Sequence, residues 1–203
     1  MVARKPGRKQ AILEVLAREL EARPGTRITT AALAAALGVS EAALYRHFAS
    51  KAKMFEGLIE FAEDAVFSRV TRILEEEPHP AQRCAAILKL LLAFAGRNPG
   101  IARILVGDAL AGEHDRLRVR VGQFFDRIET QLRQVLREAN LSAAARPRIA
   151  INAAAALMLA VAEGRMSRFV RSGFRDDPIA DWDAQWSAIA QACFGAAALA
   201  PAH

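Results

Sequence analysis

Strand signals, cysteine and catalytic motifs are what this chain has least of. Runs of β-branched residues are few, alanine and leucine dominate, and 53% of the residues are hydrophobic. That balance predicts an all-α protein with enough apolar material for a sizeable core. Cysteine occurs only at Cys84 and Cys193. Each sits in an apolar helical pattern, which predicts buried reduced thiols rather than a disulfide or a metal site. No uncharged apolar run is long enough for a bilayer span; the longest candidate, over 149–162, is too short. No apolar segment of signal-peptide type follows the basic N-terminus, so the expected location is the cytoplasm and no membrane is expected as a partner. HExxH, GxSxG, P-loop and CxxC motifs are missing, and His47, His79, His114 and His203 are widely spaced. Glu113-His114-Asp115 is read as a solvated loop, since consecutive residues do not share a helix face on which to hold a metal. The expectation is a protein that is not an enzyme, with no catalytic residue, metal or cofactor.

What is present is positive charge, and it is concentrated. The chain carries a formal +6. Residues 1–53 hold ten Lys/Arg (Arg4, Lys5, Arg8, Lys9, Arg18, Arg23, Arg27, Arg46, Lys51, Lys53) against four acids (Glu14, Glu19, Glu21, Glu41), which is the whole excess. The remaining residues balance at 18 against 18. A localised basic block attracts polyanions, nucleic acid first and acidic membrane second.

Apolar spacing predicts a first helix over 9–23, stopped by Pro24-Gly25. Thr29 or Thr30 offers an N-cap for a second helix to Leu37, and Gly38 suits the left-handed residue that ends it. Ser40 caps a short third helix over 41–48, and Ser50 caps a long fourth helix over 51–77. A fifth, over 81–96, is apolar nearly all round and is expected at the centre of the body. A sixth over 101–111, a seventh over 115–140, a linker over 141–147, an eighth over 148–171 and a ninth capped by Asp181 complete the chain. On the last two helices Met158, Val161, Met166, Trp182, Trp186 and Ile189 are expected to supply an apolar dimer surface.

The stretch "TTAALAAALGVSEAALYRHF" over 29–48 reads helix, glycine turn, helix. Leu33, Ala34, Leu37, Val39, Leu44 and Phe48 form one apolar seam, and the alanines at 34, 35 and 36 are expected to let the helices approach closely. The second helix of such a unit enters the DNA major groove, so Ser40, Glu41 and Ala42 are placed to face base edges. Tyr45, Arg46 and His47 fall on the outer arc, where each can donate to phosphate. Lys51, Thr29 and Thr30 lie at helix N-termini that also favour an anion. On the fourth helix Phe61 lies off the core stripe and is expected to be exposed, with Arg69 bordering the same side. Arg97 and Asn98 end the apolar fifth helix, a setting that suits an acidic-hydrophobic peptide.

"ITTAALAAALGVSEAALYRHFASKAKMF" resembles the DNA-binding domain of the Tet-repressor family. "LIEFAEDAVFSRVTRIL", "LLLAFAGRNPGIARILVGDAL", "DRLRVRVGQFFDRIETQLRQVLRE" and "EGRMSRFVRSGFR" resemble a division-regulating, nucleoid-occlusion branch of that family. The resemblance implies a nine-helix fold, with a helix-turn-helix DNA-binding head over 1–53 and a helical dimerisation and partner-binding body over 54–203. It implies a homodimer, joined through the last two helices, on palindromic double-stranded DNA at the nucleoid. It also implies that the tail of the tubulin-like division protein FtsZ binds along the fourth and fifth helices, at Phe61, Arg69, Leu90, Arg97 and Asn98. The other expectation to weigh is a ligand-responsive repressor of the same superfamily, which needs a mostly apolar pocket in the body.

Overall fold

The computed structural model describes residues 7–141 and 146–194. Arg4, Lys5, most of the expected linker and the tail over 195–203 lie outside the described residues. Among the described residues there are nine α-helices, one 3-10 turn and no strand. The helices are α1 (Arg8–Ala22), α2 (Thr30–Leu37), α3 (Glu41–Tyr45), α4 (Lys51–Glu76), α5 (Pro80–Arg97), α6 (Pro99–Leu105), α7 (Asp115–Asn140), α8 (Ile151–Arg171) and α9 (Trp182–Phe194). Among the described residues no single helix is long and apolar enough to cross a membrane.

Contacts divide the chain into two compact units, Met1–Asp64 with Asn98–Val121, and Ala65–Arg97 with Gly122–His203. The unit that contains the head is thus larger than the expected 1–53: it also takes in the start of α4, all of α6 and the start of α7.

In the first unit, α1 buries Ile12, Leu16 and Leu20, and α4 buries Met54, Phe55, Leu58 and Ile59. The helix most closely joined to α1 is α6. Gly100 makes that approach possible: a Cβ there would stand 2.0 Å from the Ala17 carbonyl oxygen, so only glycine fits. One turn on, Arg103 is 1% exposed. Its Nη1 donates to the carbonyls of Leu20 (2.7 Å) and Arg23 (2.8 Å), its Nη2 to Thr26 (3.3 Å), and its Nε to Asp108 Oδ2 (2.5 Å). The last carbonyls of a helix have no partner within it, and that end of the dipole favours a cation. The last turn of α1 has no basic residue of its own. Arg103 supplies one.

In the second unit, α5 is central, as its composition predicts: Cys84, Ile87, Leu88, Leu91 and Leu92 are fully buried. It packs against α8 and α9, whose inner faces carry Met158, Ala162, Met166, Trp182, Trp186 and Ala190. The two tryptophans stack at 6.1 Å. Burial pushes the Cys84 thiol up to about 12, with Cys193 adding to the shift, so the thiol stays protonated at neutral pH.

Several expectations need correcting. α3 ends at Tyr45, not Phe48. The chain tightens there because the His47 N–H bonds to Leu44 O, three residues back rather than four, at 2.9 Å, and Ser50 Oγ already caps α4 at the Lys53 N–H. α6 stops at Leu105 because Gly107 takes φ +81, and a 3-10 turn, Asp108–Leu110, follows. α8 begins at Ile151, because Ala150 before it takes ψ 136 and serves as the N-cap; the Arg148 N–H donates to Cys193 O at 2.7 Å. Asp181 sits at φ +54, outside the extended region that an N-cap adopts. Met158, Met166, Trp182 and Trp186 are core of the protomer and do not form an outward apolar surface, while Val161 and Ile189 are half-buried. Ala35 and Ala36 are exposed, and only Ala34 of the three packs inward.

Replacing Arg103 by leucine leaves Asp108 and three carbonyls without their donor. The expected loss is about 3 kcal/mol of unfolding free energy, read from the urea midpoint. A midpoint equal to that of the wild type would show that Arg103 is not a clamp.

Candidate nucleic-acid interface

The recognition unit is built by three caps. Thr29 Oγ1 accepts from the Ala32 N–H at 3.1 Å and starts α2. Gly38, at φ +64, ends α2 and sends its own N–H to Ala35 O. Ser40 Oγ accepts from the Ala43 N–H at 3.3 Å and starts α3. Leu33, Ala34 and Leu44 are buried between the two helices, while Leu37, Val39 and Phe48 are half-buried at the edges. A fourth tie was not foreseen. Thr30 Oγ1 donates to Glu41 Oε2 at 2.6 Å and pins the start of α2 to the start of α3. Thr30 and Glu41 therefore serve the crossing of the helices as well as any ligand.

Ser40, Glu41 and Ala42 are exposed at the start of α3, and Tyr45 and Arg46 are exposed at its end. His47 is half-buried in the following turn. Thr29 is exposed beside them in sequence order at the start of α2, and Thr30 is half-buried.

Lys51 is placed differently from expectation. Its side chain is only 18% exposed, and Nζ is held by Glu113 Oε1 at 2.6 Å and lies 5.5 Å from the Phe55 ring centre. The Glu113 side chain is only 7% exposed and is not that of a solvated loop. The same oxygen accepts from Arg27 Nε at 3.2 Å, and Arg27 Nη2 donates to Gly112 O at 3.0 Å.

Much of the basic block is balanced from within. Arg23 pairs with Glu19, Arg27 and Lys51 with Glu113, and Lys53 with Glu56. The Glu56 carboxyl is held below the ordinary carboxylate range by the hydrogen bond from Lys53, with burial opposing and Arg116 adding to the lowering. Among the described residues no ion pair engages Arg46. Sequence reasoning missed Glu113 and Arg103; apart from Asp108, five residues after Arg103, the partners named lie 62 to 86 residues away, where no local pattern announces them.

The residues expected to meet a peptide fall into both units. In the first, Phe61 is 42% exposed and shares a groove of about 370 Å³ with Leu13, Ala17, Leu58, Asn98 and Ile101. In the second, Arg69 and Arg97 are exposed and Leu90 is half-buried. Arg69 Nη1 donates to Ala65 O at 2.8 Å. Arg97 lines a cleft of about 320 Å³ with Ala93, Phe169, Phe174 and Arg175.

A capped two-helix unit with a buried seam and an exposed polar end defines the head of a helix-turn-helix DNA-binding protein. Residues 12–58 match the family described as bacterial regulatory proteins, tetR family, and residues 80–193 match the SlmA-like family, tetracyclin repressor-like, C-terminal domain. The nucleoid occlusion factor SlmA of Marinomonas sp. (strain MWYL1) is 53% identical over 94% of this chain and 97% of its own. That of Shewanella woodyi is 56% identical over 92% and 95%. The fatty acid degradation regulator FadR of Bacillus halodurans superposes with a TM-score of 0.77 at 13% identity, covering 92% of this chain and 97% of that one. The ketosteroid regulator KstR2 of Mycobacterium tuberculosis does so at 0.74 and 17%, covering 94% and 97%. At such identities the likeness establishes the fold: the nine-helix Tet-repressor-like architecture expected from the sequence. The chain belongs to the family of the nucleoid occlusion factor SlmA, a branch of the tetR regulators.

Replacing Thr30 by valine removes the tie to Glu41 without changing the shape of the side chain. It is expected to lower head stability by about 1 kcal/mol, measured by thermal melting. An unchanged melting curve would mean that the caps alone hold the helix crossing.

Proposed function

We propose that this protein is a nucleoid occlusion factor in the cytoplasm, associated with the nucleoid. It binds palindromic chromosomal sites as a homodimer, engages FtsZ while bound, and antagonises FtsZ polymers so that no septum forms over the DNA. The observation that carries this reading is the exposed end of α3, Tyr45 and Arg46, projecting from a helix whose inner face is closed by Leu44. The names of the relatives support the division role. The head over 1–53 makes the DNA contact. Ser40, Glu41 and Ala42 meet base edges, Tyr45, Arg46 and His47 meet phosphates, and the starts of α2 (Thr29, Thr30) and α4 (Lys51) present backbone N–H groups to the sugar-phosphate chain. The body over 54–203 dimerises and meets the partner. Phe61 and Asn98 in the first unit, and Arg69, Leu90 and Arg97 in the second, are assigned to the FtsZ tail.

The ligand-responsive repressor is the weaker reading. One cleft in the second unit, about 420 Å³, mixes apolar residues such as Ala160, Val161 and Pro178 with four charged ones, Arg165, Arg168, Asp176 and Asp177. An apolar, drug-sized ligand wants only a few polar groups in its lining.

The dimer surface is the outward side of α8 and α9, where small residues stand around Leu157: Ala153, Ala156 and Ala160 on α8, and Ala184 and Ala188 on α9. Their spacing of three and four puts them on one stripe of each helix, and small side chains let backbones approach. Two heads about one DNA turn apart then read a palindrome.

Phe61→Ala is expected to weaken binding of an FtsZ tail peptide by roughly tenfold and to leave DNA affinity unchanged. Arg46→Ala is expected to do the reverse, and to make the salt dependence of DNA binding shallower by about 0.9 in log–log slope. Fluorescence anisotropy with peptide and with palindromic duplex reads both. Equal loss of both activities in both variants would end the two-surface assignment.

Leu157, 42% exposed, is central to the proposed dimer stripe. Leu157→Arg is expected to yield a folded monomer by light scattering at micromolar concentration. A dimer in that variant would place the interface elsewhere.

A further inference from the structure

Among the described residues, Glu113 is the one acid from outside the helix-turn-helix segment that engages two cations of the head. It lies just before α7, in a connection with Gly107 and Gly112 at φ +81 and +70. That connection is anchored at one end by Asp108 on Arg103 and at the other by Arg27 on Gly112 O. Lys51 Nζ, at 2.6 Å, is turned onto this carboxylate. Lys51 is also the first residue of α4, where the helix N-terminus already favours an anion. A lysine there pairs with whichever anion is nearest. In the protein alone, that anion is Glu113.

We propose that Glu113 is a stand-in for a DNA phosphate: it holds the Lys51 ammonium in the unbound head and must yield it when the DNA backbone arrives. The inference rests on the DNA-binding reading above and adds a residue that sets affinity without touching DNA. Three features support exchange rather than a permanent tie. The Lys51 side chain keeps 18% of its surface in solvent, so the ammonium has a path outward. Glu113 does not depend on Lys51 alone, because Arg27 bonds to the same oxygen. The four-carbon stem of lysine also lets the charge move while the helix stays still. Breaking the pair costs free energy on each binding event, so Glu113 holds DNA affinity below what the head's cations would otherwise give.

The test is DNA affinity across a salt series, on the full-length protein with a palindromic duplex. Glu113→Gln keeps the side chain's size and removes its charge. It is expected to bind roughly fivefold tighter, with a log–log salt slope steeper by up to about 0.9. In a Lys51→Gln background the same change is expected to give less than half of that gain. Weaker binding by Glu113→Gln at an unchanged slope would overturn the proposal and make Glu113 a scaffold. So would an equal gain with and without Lys51. Should Glu113→Gln fail to fold, Lys51→Met decides: a slope shallower by about 0.9 supports exchange, and an unchanged slope refutes it. Wild-type protein that binds no duplex at all would instead sink the DNA-binding reading itself.

Discussion

The buried guanidinium of Arg103 is the constraint on which the first unit depends. A charged group this deep costs several kcal/mol to desolvate unless its donors are satisfied. Here one carboxylate and three carbonyls receive them. The carbonyls belong to the end of α1 and the turn after it, so the guanidinium fixes how the chain leaves α1. That exit sets where Thr29 stands, and Thr29 starts α2. The placement of the recognition unit therefore follows from a residue about eighty positions downstream of α1's last turn. Gly100 completes the arrangement by bringing α6 to backbone contact with α1. Neither feature works alone. Without the close approach the guanidinium does not reach the carbonyls, and without the guanidinium the end of α1 keeps unpaired acceptors.

The same unit shows why a net basic block is a poor map of a DNA surface. Four of its cations are committed to acids of the protein. Among the described residues no ion pair engages Arg46, which stands beside Tyr45 at the exposed end of α3. A net charge of +6 draws a polyanion in at long range, but a cation already paired within the protein must give up its acid before it can meet a phosphate.

What could be read from the sequence was what depends on neighbours in the chain. The caps of α2 and α3, the left-handed Gly38 and the seam through Leu33 and Leu44 are all local; the last three stand where spacing put them, and of the two threonines that spacing offered as the α2 cap it is Thr29 that serves. The residues that escaped are set by distant partners. Glu113 looks solvated in its own tripeptide, and only Lys51 and Arg27 make it otherwise. The outward face of α8 misled for a different reason. Large apolar residues such as Met158 and Met166 suggest a surface for a partner, yet a helix beside its own core spends them inward and keeps alanines outside. Periodicity gives the stripe but does not say which of two apolar stripes meets the protomer's interior. The length of α3 was misjudged because Tyr45, Arg46 and His47 are good enough helix residues; the cap at Ser50 forces the turn.

The connection between α6 and α7 carries two ion pairs of opposite character. Arg103 meets four acceptors in a closed site, and removing any donor strands a buried charge or carbonyl, so that pair persists through any event at the head. Lys51 meets a single carboxylate at the edge of solvent, and a phosphate offers the same charge at comparable distance. The first pair holds the connection in place. The second can change partner because the first does not. An exchangeable acid is useful only if it is returned to the same position after each dissociation, and Arg103 through Asp108 provides that return.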